Sequence, residues 1–562
     1  MTIDAVRHPA EALADELVAS LDPEQRAAAL LPDGPAQVIA PAGSGKTTAL
    51  VARLGVLLAR GVAPDRICVV TFNREAALEL TARIARRLAP RVAGAEAIEV
   101  RTLHAMARQV LLDAGQPVRL LRDRMPLLRA ARRQVLARAA HTAAQDALEP
   151  PEAAALDTAV SAWKIEGRLP VGPGGEVLRA YEGLLRTRGE IDFDDLVVGA
   201  VEALATDGSV RDRWQQRFTH LCVDEFQDVD AAQLRFVQAL AEPQRNLFVV
   251  GDDDQTIYAW RLADVRRILG FGAAYPGARR IQLATNYRCP PAVIAASRQL
   301  IEVNRERFAK RIEPPPGAEP AEGALVAVST ADESWPDRLA ALAAEESAAG
   351  GTICFLSRTR SELTPMLIAL VRAAIPHRTS VPAVLELEPV RQLLADAARL
   401  PEEASAFPAM LRVRAARGWR RSDASDTIGD DEHAAIDALL GWAAGYRTLG
   451  AFLDGERAAA TRIDQLRRDD AAVELITVHG AKGREWQTVV VLQVEDGHIP
   501  NRRSLVGGDD PARAMEEERR LAYVAFTRAT RRLVLAYDPA RPSPFLGEMG
   551  LLPRGRPPAQ PR

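Results

Sequence analysis

The stretch QVIAPAGSGKTT, residues 37–48, decides the fold of this chain. It begins with an apolar run typical of a buried strand, passes through a glycine-rich turn and ends in residues that open a helix. In such a turn the backbone N–H groups point inward and hold phosphate oxygens, and a lysine adds positive charge. The pattern predicts a strand, a loop and a helix that bind the phosphates of ATP or GTP.

Two side chains of this loop have predicted chemical roles. Lys46 is placed to contact the β- and γ-phosphates, and the hydroxyl of Thr47 to ligate Mg²⁺. Ala40 stands where the usual pattern has glycine, and an ordinary glycine-rich turn with an incidental lysine is the alternative. The flanking strand and helix favour the phosphate loop. The predicted nucleotide-binding residues of the loop are Ala42, Gly43, Ser44, Gly45, Lys46, Thr47 and Thr48.

A second nucleotide element is the run LCVDEFQD, residues 221–228, in which an apolar strand ends in a pair of carboxylates. Asp224 can hold Mg²⁺ at the strand terminus, and Glu225 can polarise the attacking water. Acidic pairs at strand ends are often only solvated turns. With a phosphate loop upstream, the catalytic interpretation is favoured.

Composition limits the class of protein. The 562 residues fit about three or four domains. Lys+Arg number 72 and Asp+Glu 75, a net charge of −3, so any polyanion site must be local. No run approaches the roughly 20 apolar residues that span a bilayer, and residues 1–10 lack the order of a signal peptide. We expect a cytoplasmic protein that does not bind membranes.

The cysteines argue against a metal or disulfide framework. Cys68, Cys222, Cys289 and Cys354 are separated by 154, 67 and 65 residues, which matches no metal-ligand spacing. Three of them lie in or beside apolar runs and are predicted to be small core residues.

Short β-branched runs alternate with long segments of helical period, which predicts an α/β fold with parallel sheets. Five strands are predicted before about residue 290 and four after about residue 350. This grouping fits two separate sheets as well as it fits a single one. The predicted strands are Gln37–Ala40, Ile67–Thr71, His220–Val223, Leu247–Val250, Arg280–Leu283, Thr352–Leu356, Glu474–Thr477, Val489–Leu492 and Leu533–Ala536. Residues 103–196 and 387–466 are predicted to be helical insertions.

Further motifs follow in a fixed order. They are LDPEQRAA (21–28), TFNREAA (71–77), RTLH (101–104), GDDDQTIYAWR (251–261), TNYR (285–288), LITVHGAKGREW (475–486) and EEERRLAYVAFTRA (516–529). With the phosphate loop and the acidic run, this series resembles the superfamily 1A helicases, the UvrD, PcrA and Rep family. The resemblance covers most of the chain.

The resemblance implies two RecA-like domains, each a parallel sheet flanked by helices and each with a mainly helical insertion. The implied divisions are 1–102 and 197–290 for the ATP-binding domain, 103–196 for its insertion, 291–386 and 467–548 for the second domain, 387–466 for a reduced second insertion, and 549–562 for a flexible tail.

The resemblance also implies a role for residues outside the phosphate loop. Gln25 would read the adenine edge and so select ATP, Tyr287 would lie over adenine, and Glu485 would contact the ribose hydroxyls. Arg288 and Arg528 would act as arginine fingers, and Gln255 would sense the γ-phosphate. The catalytic set is therefore Lys46, Glu225, Gln255, Arg288 and Arg528.

A third group of residues is implied to contact single-stranded DNA by stacking or through phosphate hydrogen bonds. It comprises Phe72, Asn73, Thr102, His104, Tyr258, Trp260, Arg261, Thr477 and His479. Taken alone, Phe72 would be a core residue more often than not. A core tryptophan between domains is the alternative for Trp260.

The last two motifs leave open points. Arg484 and Trp486 stand where the family usually has Leu and Phe, which puts the local packing in doubt. Glu517, Arg520 and Tyr523 recur on one helix face, and charge alone would make that face solvated.

The sequence therefore predicts an ATP- and Mg²⁺-dependent 3′→5′ helicase or translocase in DNA repair or recombination. Its expected partners are single-stranded DNA, junctions with duplex DNA, and repair or replication proteins. Two alternatives stay open. One is a translocase that displaces proteins but unwinds poorly without a partner, as a short second insertion would suggest. The other is a P-loop ATPase that acts without nucleic acid.

Overall fold

Parallel strands joined by crossover helices form two sheets in the computed structural model. It describes residues 9–141, 151, 153–379, 384–419, 430–506 and 510–553. The chain divides into unit 1, Met1–Tyr287 with Glu306–Ile312, and unit 2, Arg288–Arg305 with Glu313–Arg562. Residues 554–562 of the predicted tail lie outside the described residues.

Unit 1 contains a six-stranded sheet in the order β3-β2-β4-β5-β1-β6, with all strand pairs parallel. Its strands are β1 Ala36–Ile39, β2 Ile67–Thr71, β3 Glu99–Thr102, β4 His220–Val223, β5 Leu247–Gly251 and β6 Arg279–Gln282. Its helices are α1 Pro9–Val18, α2 Pro23–Ala29, α3 Lys46–Ala59, α4 Arg74–Arg87, α5 Leu103–Asp113, α6 Met125–His141, α7 Ala153–Glu166, α8 Pro173–Arg188, α9 Phe193–Thr206, α10 Gly208–Arg217, α11 Ala231–Ala241, α12 Val265–Leu269 and α13 Phe271–Ala274.

The four inner strands of this sheet, β2, β4, β5 and β1, are buried on both faces, which is why they are mainly apolar without alternation. Val69 and Val70 are neighbours in β2, yet they belong to different core clusters on opposite faces. Val249 and Val250 divide in the same way in β5. Each such side chain contributes about 1.5–3 kcal/mol on burial. Helices α6, α7 and α8 enclose a separate apolar cluster of their own.

The strand order places three functional loops side by side. Strand β1 pairs with β5, and β5 pairs with β4. Since the strands are parallel, their carboxyl ends meet at one edge of the sheet, where ligands bind in open α/β folds. The segments that follow Ile39, Val223 and Gly251 therefore converge.

Unit 2 contains a second six-stranded parallel sheet in the order β7-β12-β11-β8-β10-β9. Its strands are β7 Leu325–Ser329, β8 Ile353–Ser357, β9 His377–Thr379, β10 Val473–Thr477, β11 Trp486–Val491 and β12 Ala529–Tyr537. Its helices are α14 Pro291–Ile301, α15 Trp335–Ala348, α16 Thr364–Arg372, α17 Glu388–Ala397, α18 Ala406–Ala416, α19 Asp430–Ala443, α20 Leu449–Leu466, α21 Arg502–Val506, α22 Pro511–Phe526 and α23 Pro544–Glu548. Helices α17 to α20 have their own apolar core.

The α/β prediction with two parallel sheets is confirmed, and every predicted strand is present within a few residues. Strands β3, β7 and β9 were not predicted, and β7 corrects the expectation that the second group starts after residue 350. All three are outer strands of their sheets. Strands β3 and β9 are short and mainly polar, as edge strands can be, so their sequences lack the apolar run of a central strand. Strand β7 is partly exposed but does contain an apolar run, Leu325–Val328, which the prediction overlooked.

Two further findings concern composition. All four cysteines are buried free thiols, which confirms the prediction for Cys68, Cys222 and Cys354 and adds Cys289, for which none was made. Among the described residues, no helix is both long enough and apolar enough to cross a membrane.

Candidate functional site

The phosphate loop follows β1 and leads into α3, whose first three residues are Lys46, Thr47 and Thr48. Gly43 and Gly45 have φ angles of 70° and 78°, in the left-handed region that glycine adopts without strain. A Cβ at Gly45 would lie 2.5 Å from the side-chain nitrogen of Gln25. Both backbone conformation and space therefore require glycine at position 45.

Gln25 and Tyr287 lie against this loop. The Gln25 Nε2 donates to the carbonyl oxygen of Ser44 at 3.0 Å. The backbone N–H of Tyr287 donates to the carbonyl of Gly43 at 2.9 Å, and its hydroxyl donates to Asp22 at 2.8 Å. The structure thus brings together the two residues predicted to meet adenine and the loop predicted to hold phosphate. The Tyr287 ring is half-exposed.

Lys46 pairs with the acidic run across the sheet edge. Its Nζ lies 3.0 Å and 3.2 Å from the two carboxylate oxygens of Glu225. Burial alone would lower the pKa of Lys46, but the carboxylates of Glu225, Asp252 and Asp224 raise it, so the lysine stays charged. Burial and the charge of Glu225 raise the pKa of Asp224 to about 6. The Asp224 anion therefore gains from a nearby cation.

The backbone of Glu225 is strained. Its φ of 51° and ψ of 42° are left-handed, which costs a non-glycine residue about 1–3 kcal/mol. The amide of Asp228 donates to the Glu225 carbonyl at 3.0 Å, and the Gln227 side chain donates to the Glu225 carboxylate. This conformation aims the carboxylate at Lys46 rather than along the strand.

Gln227 is a site residue that the sequence analysis did not assign, although it lies inside the acidic run. It is fully buried, and its Oε1 accepts from the backbone N–H of Asp252 at 3.0 Å. A Cβ at Gly251 would lie 2.5 Å from the same oxygen. Gln227 therefore joins the loop after β4 to the loop after β5.

Gln255 is held by a buried ionic cluster. Its Nε2 donates to Asp252 at 2.7 Å. The fully buried Nζ of Lys310 lies 2.5 Å from Asp252, 2.6 Å from Asp253 and 2.9 Å from Asp254. Nothing in the sequence pattern linked Lys310 to this loop, because it follows 58 residues after Asp252.

Arg307 completes the cluster with a bidentate contact to Asp254, at 2.9 Å and 2.8 Å. Lys310 and Arg307 belong to the short segment Glu306–Ile312 of unit 1, whose neighbours in sequence belong to unit 2.

The aromatic residues predicted to stack on bases form one group in unit 1. The rings of Phe72 and Tyr258 stack with centroids 4.8 Å apart, and Tyr258 meets Trp260 edge-on at 6.3 Å. The guanidinium of Arg261 lies 4.7 Å from the Trp260 ring centroid. Trp260 is 48% exposed, so the alternative of a core tryptophan is wrong.

The other residues predicted to bind DNA in unit 1 lie at helix starts. Asn73 caps α4 by accepting from the Ala76 amide at 2.8 Å, and Thr102 caps α5 by accepting from the Ala105 amide at 3.2 Å. His104 follows Thr102, and burial lowers its pKa, which favours a neutral imidazole. Helix N-termini suit phosphate, and the roles of these residues in DNA binding stay predictions.

Unit 2 brings Arg288, Glu485 and Arg528 together around Thr527. The Arg288 Nε lies 2.6 Å from the Glu485 carboxylate, and its Nη1 donates to the Thr527 carbonyl at 3.3 Å. Arg528 is buried, and its Nη2 donates to the Thr527 hydroxyl at 3.2 Å. Thr477 ends β10, and His479 begins the short turn that follows.

Charge patterning was misleading for α22. Arg520 and Tyr523 are fully buried, so the face that they share is not a solvated one. Arg520 instead pairs with Glu516 at 3.4 Å.

The oxygen donors of Thr47 and Asp224 are of the kind that Mg²⁺ prefers. Within the described ranges no group of three or more His, Cys, Asp or Glu side chains could hold a metal ion. Thr47 and Asp224 could supply two oxygen ligands to such an ion, with phosphate oxygens as others.

Two family models match parts of this chain, and several known proteins are similar to most of it. Residues 21–276 match the UvrD/REP helicase N-terminal domain, and residues 446–539 match the UvrD-like helicase C-terminal domain. The ATP-dependent DNA helicase UvrD2 of Mycobacterium tuberculosis is 32% identical over 96% of this chain and 83% of its own length. The ATP-dependent DNA helicase PcrA of Bacillus subtilis is 26% identical over 97% and 86%. DNA helicase II of Escherichia coli is 27% identical over 95% and 88%.

The buried cluster predicts a large effect of Lys310→Met on stability. The variant leaves three buried carboxylates with Arg307 as their remaining cation in the cluster, and breaking a buried ion pair from one side costs about 3–5 kcal/mol. We expect the free energy of unfolding of unit 1 to fall by about that amount in urea denaturation. Arg311→Met is the matched control, because Arg311 is exposed and pairs with Glu24. Equal stability of the two variants would contradict the prediction.

Proposed function

The chain belongs to the UvrD/REP family of ATP-dependent DNA helicases, and we propose that it moves 3′→5′ on single-stranded DNA and acts at junctions with duplex DNA. The observation that carries the proposal is the segment 251–261. Gln255, proposed to sense the γ-phosphate, is only a few residues from Tyr258 and Trp260, proposed to stack on bases. Loss of the γ-phosphate on hydrolysis can then shift the aromatic side chains that are proposed to hold the base. Family membership argues against an ATPase that acts without nucleic acid.

ATP binding is assigned to the loop at the edge of the unit 1 sheet. Lys46, on the first turn of α3, supplies the charge that meets the β- and γ-phosphates. Gln25 and Tyr287 are proposed to contact adenine, since both are fixed to the phosphate loop by hydrogen bonds. Thr47 and Asp224 are proposed to hold Mg²⁺, which neutralises phosphate charge when bound.

Glu225 is proposed to orient and polarise the attacking water. Its carboxylate is fixed from two sides, by the Lys46 ammonium and by the Gln227 amide, so its orientation is set before ATP binds. A base held in this way loses little freedom when the transition state forms.

Unit 2 supplies the residues proposed to complete the reaction. Arg288 and Arg528 would act as arginine fingers that neutralise charge developing on the γ-phosphate. Arg288 is paired with Glu485, so we propose that it exchanges this carboxylate for phosphate while Glu485 turns to the ribose hydroxyls.

DNA binding is assigned to the exposed aromatic group and the adjoining helix starts. Stacking on Trp260 and Tyr258 tolerates any base, as a motor that moves along a strand requires. Thr477 and His479 are proposed to contact the DNA backbone. We also propose a role in DNA repair or recombination, with repair or replication proteins as partners, because both processes expose single strands beside duplexes.

Substitutions in the nucleotide site should separate binding from hydrolysis. Lys46→Ala should abolish ATP hydrolysis by removing the charge at the phosphates. Glu225→Gln should lower the rate about 10²–10⁴-fold while ATP still binds, because the amide cannot accept the water proton. Phosphate release with saturating single-stranded DNA measures both effects, and circular dichroism checks the fold. Full DNA-stimulated turnover in Glu225→Gln would contradict the role assigned to Glu225.

Trp260→Ala should weaken the coupling of hydrolysis to DNA. Loss of one base-stacking contact costs about 1–3 kcal/mol, so the oligonucleotide concentration for half-maximal ATPase stimulation should rise roughly 5–150-fold. The control is Leu112→Ala, which removes another exposed apolar side chain of unit 1. If stimulation is unchanged in the Trp260 variant, this residue does not stack on DNA.

Direction and unwinding can be measured on two substrates. A 3′→5′ motor should displace streptavidin from biotin at the 5′ end of an oligonucleotide faster than from the 3′ end. It should also separate a duplex that carries a 3′ tail. Displacement from the 3′ end alone would contradict the proposed direction.

The second candidate, a translocase that unwinds poorly without a partner, predicts streptavidin displacement without strand separation. The observation that favours this candidate is the small size of the predicted second insertion, residues 387–466. In the described part of the chain this insertion consists of helices α17, α18, α19 and α20.

A further inference from the structure

A buried carboxylate of unit 2 lies beneath the segment Arg484–Trp486. Glu474 belongs to β10, an inner strand of the sheet, and is only 4% exposed. Its Oε2 lies 2.6 Å from Arg484 Nη2, 2.8 Å from Arg378 Nη2 and 3.0 Å from the indole N–H of Trp486. Three donors from two different segments converge on one oxygen.

Such an arrangement fixes its members. A carboxylate withdrawn from water is stable only when cations or donors replace the lost hydration. The Arg484 guanidinium also lies 4.9 Å from the Trp486 ring centroid, a cation–π contact that joins the two donors to each other. If either side chain turned away, Glu474 would lose one of its three donors.

The fixed residues flank Glu485. Its side chain is 54% exposed and carries the ion pair with Arg288. The backbone on either side is bonded to Arg528, because the Trp486 amide donates to the Arg528 carbonyl at 3.1 Å and Arg528 Nη1 donates to the Arg484 carbonyl at 3.4 Å. Glu474 therefore lies below a short segment in contact with both proposed arginine fingers.

The contacts of Glu474 account for Arg484 and Trp486, the two unusual residues in the run 475–486. Leu and Phe, the residues usual at positions 484 and 486, cannot donate a hydrogen bond to a carboxylate. Arg484 and Trp486 both can, and both meet Glu474. The three residues form one matched set, linked across the sheet rather than along the sequence.

We propose that Glu474 is a positioning residue for nucleotide binding, which holds the segment Arg484–Trp486 so that Glu485 presents its carboxylate to the ribose hydroxyls of ATP. The proposal rests on the proposed role of Glu485 in the ATP site. Glu474 itself contacts neither substrate nor reacting atoms and acts through its two donors.

The test is Glu474→Gln, which keeps the shape of the side chain and removes its charge. In DNA-stimulated hydrolysis, KM is measured for ATP and for 2′,3′-dideoxy-ATP, which lacks both ribose hydroxyls. The wild type should have a higher KM for the dideoxy analogue. In Glu474→Gln the KM for ATP should rise about tenfold, the equivalent of one hydrogen bond to a charged group, while kcat changes little. The ratio of the two KM values should fall towards one.

The matched control is Glu495→Gln. Glu495 is 5% exposed, also belongs to unit 2, and pairs with Arg541 and the backbone of Asp538 instead. This variant removes an equally buried charge, and its KM ratio should stay at the wild-type value. A ratio that falls equally in both variants would mean a general loss of packing and would overturn the positioning role.

A second set of variants remains informative if Glu474→Gln folds poorly. In the wild-type background, Glu474→Leu should raise the KM for ATP, because two arginines and an indole lose their acceptor. In the R484L/W486F background, Glu474→Leu should instead lower the KM for ATP. There the buried carboxylate that it removes has already lost two of its donors. A change of the same sign in both backgrounds would overturn the matched set.

Failure of this inference differs from failure of the proposed function. If the wild type shows no DNA-stimulated hydrolysis, the proposed function fails. If it hydrolyses ATP but Glu485→Gln leaves the KM ratio unchanged, ribose recognition and the inference fall together. If Glu485→Gln lowers the ratio and Glu474→Gln does not, only the positioning role of Glu474 is wrong.

Discussion

Buried carboxylates that require a cation organise the functional edge of both sheets. A carboxylate removed from water is destabilised by several kcal/mol unless opposite charge and hydrogen-bond donors replace its hydration. Unit 1 meets this requirement with Lys310 at the three buried aspartates 252–254, and its partly buried Glu225 pairs with Lys46 in a similar way. Unit 2 meets it at Glu474. Each cluster fixes a loop that a sheet of short strands would otherwise leave mobile.

The net charge of −3 says little about the surface that DNA meets. Buried carboxylates such as Asp252, Asp253 and Asp254 face cations inside a unit rather than solvent. The exposed part of the proposed DNA site is aromatic and locally basic, as Trp260 and Arg261 illustrate. A near-neutral total excludes a uniformly basic coating protein and is compatible with a motor that must release its strand at every step.

Local patterns predicted most of the fold and the identity of the loops. The central strands were recognisable because both of their faces are buried, and the glycines of the phosphate loop because their conformation allows little else. Residues whose importance depends on a distant partner could not be found in this way. Lys310 and Glu474 look like ordinary charged residues until the fold places Asp252 and Arg484 beside them. The outer strands β3 and β9 were missed because an exposed edge does not demand an apolar run, whereas the apolar run of the outer strand β7 was overlooked.

The segment 251–261 combines a rigid end with an exposed end, and this difference supports coupling. At its start, Asp252, Asp253 and Asp254 are fully buried and held by Lys310, so the backbone there has one arrangement. At its end, Trp260 is half-exposed and contacts Tyr258 and Arg261. Packed ionic clusters resist continuous deformation, so a displacement at Gln255 would pass more easily to the exposed aromatic side. If Gln255 senses the γ-phosphate as proposed, a segment anchored at one end would convert a change there into movement of the stacked base.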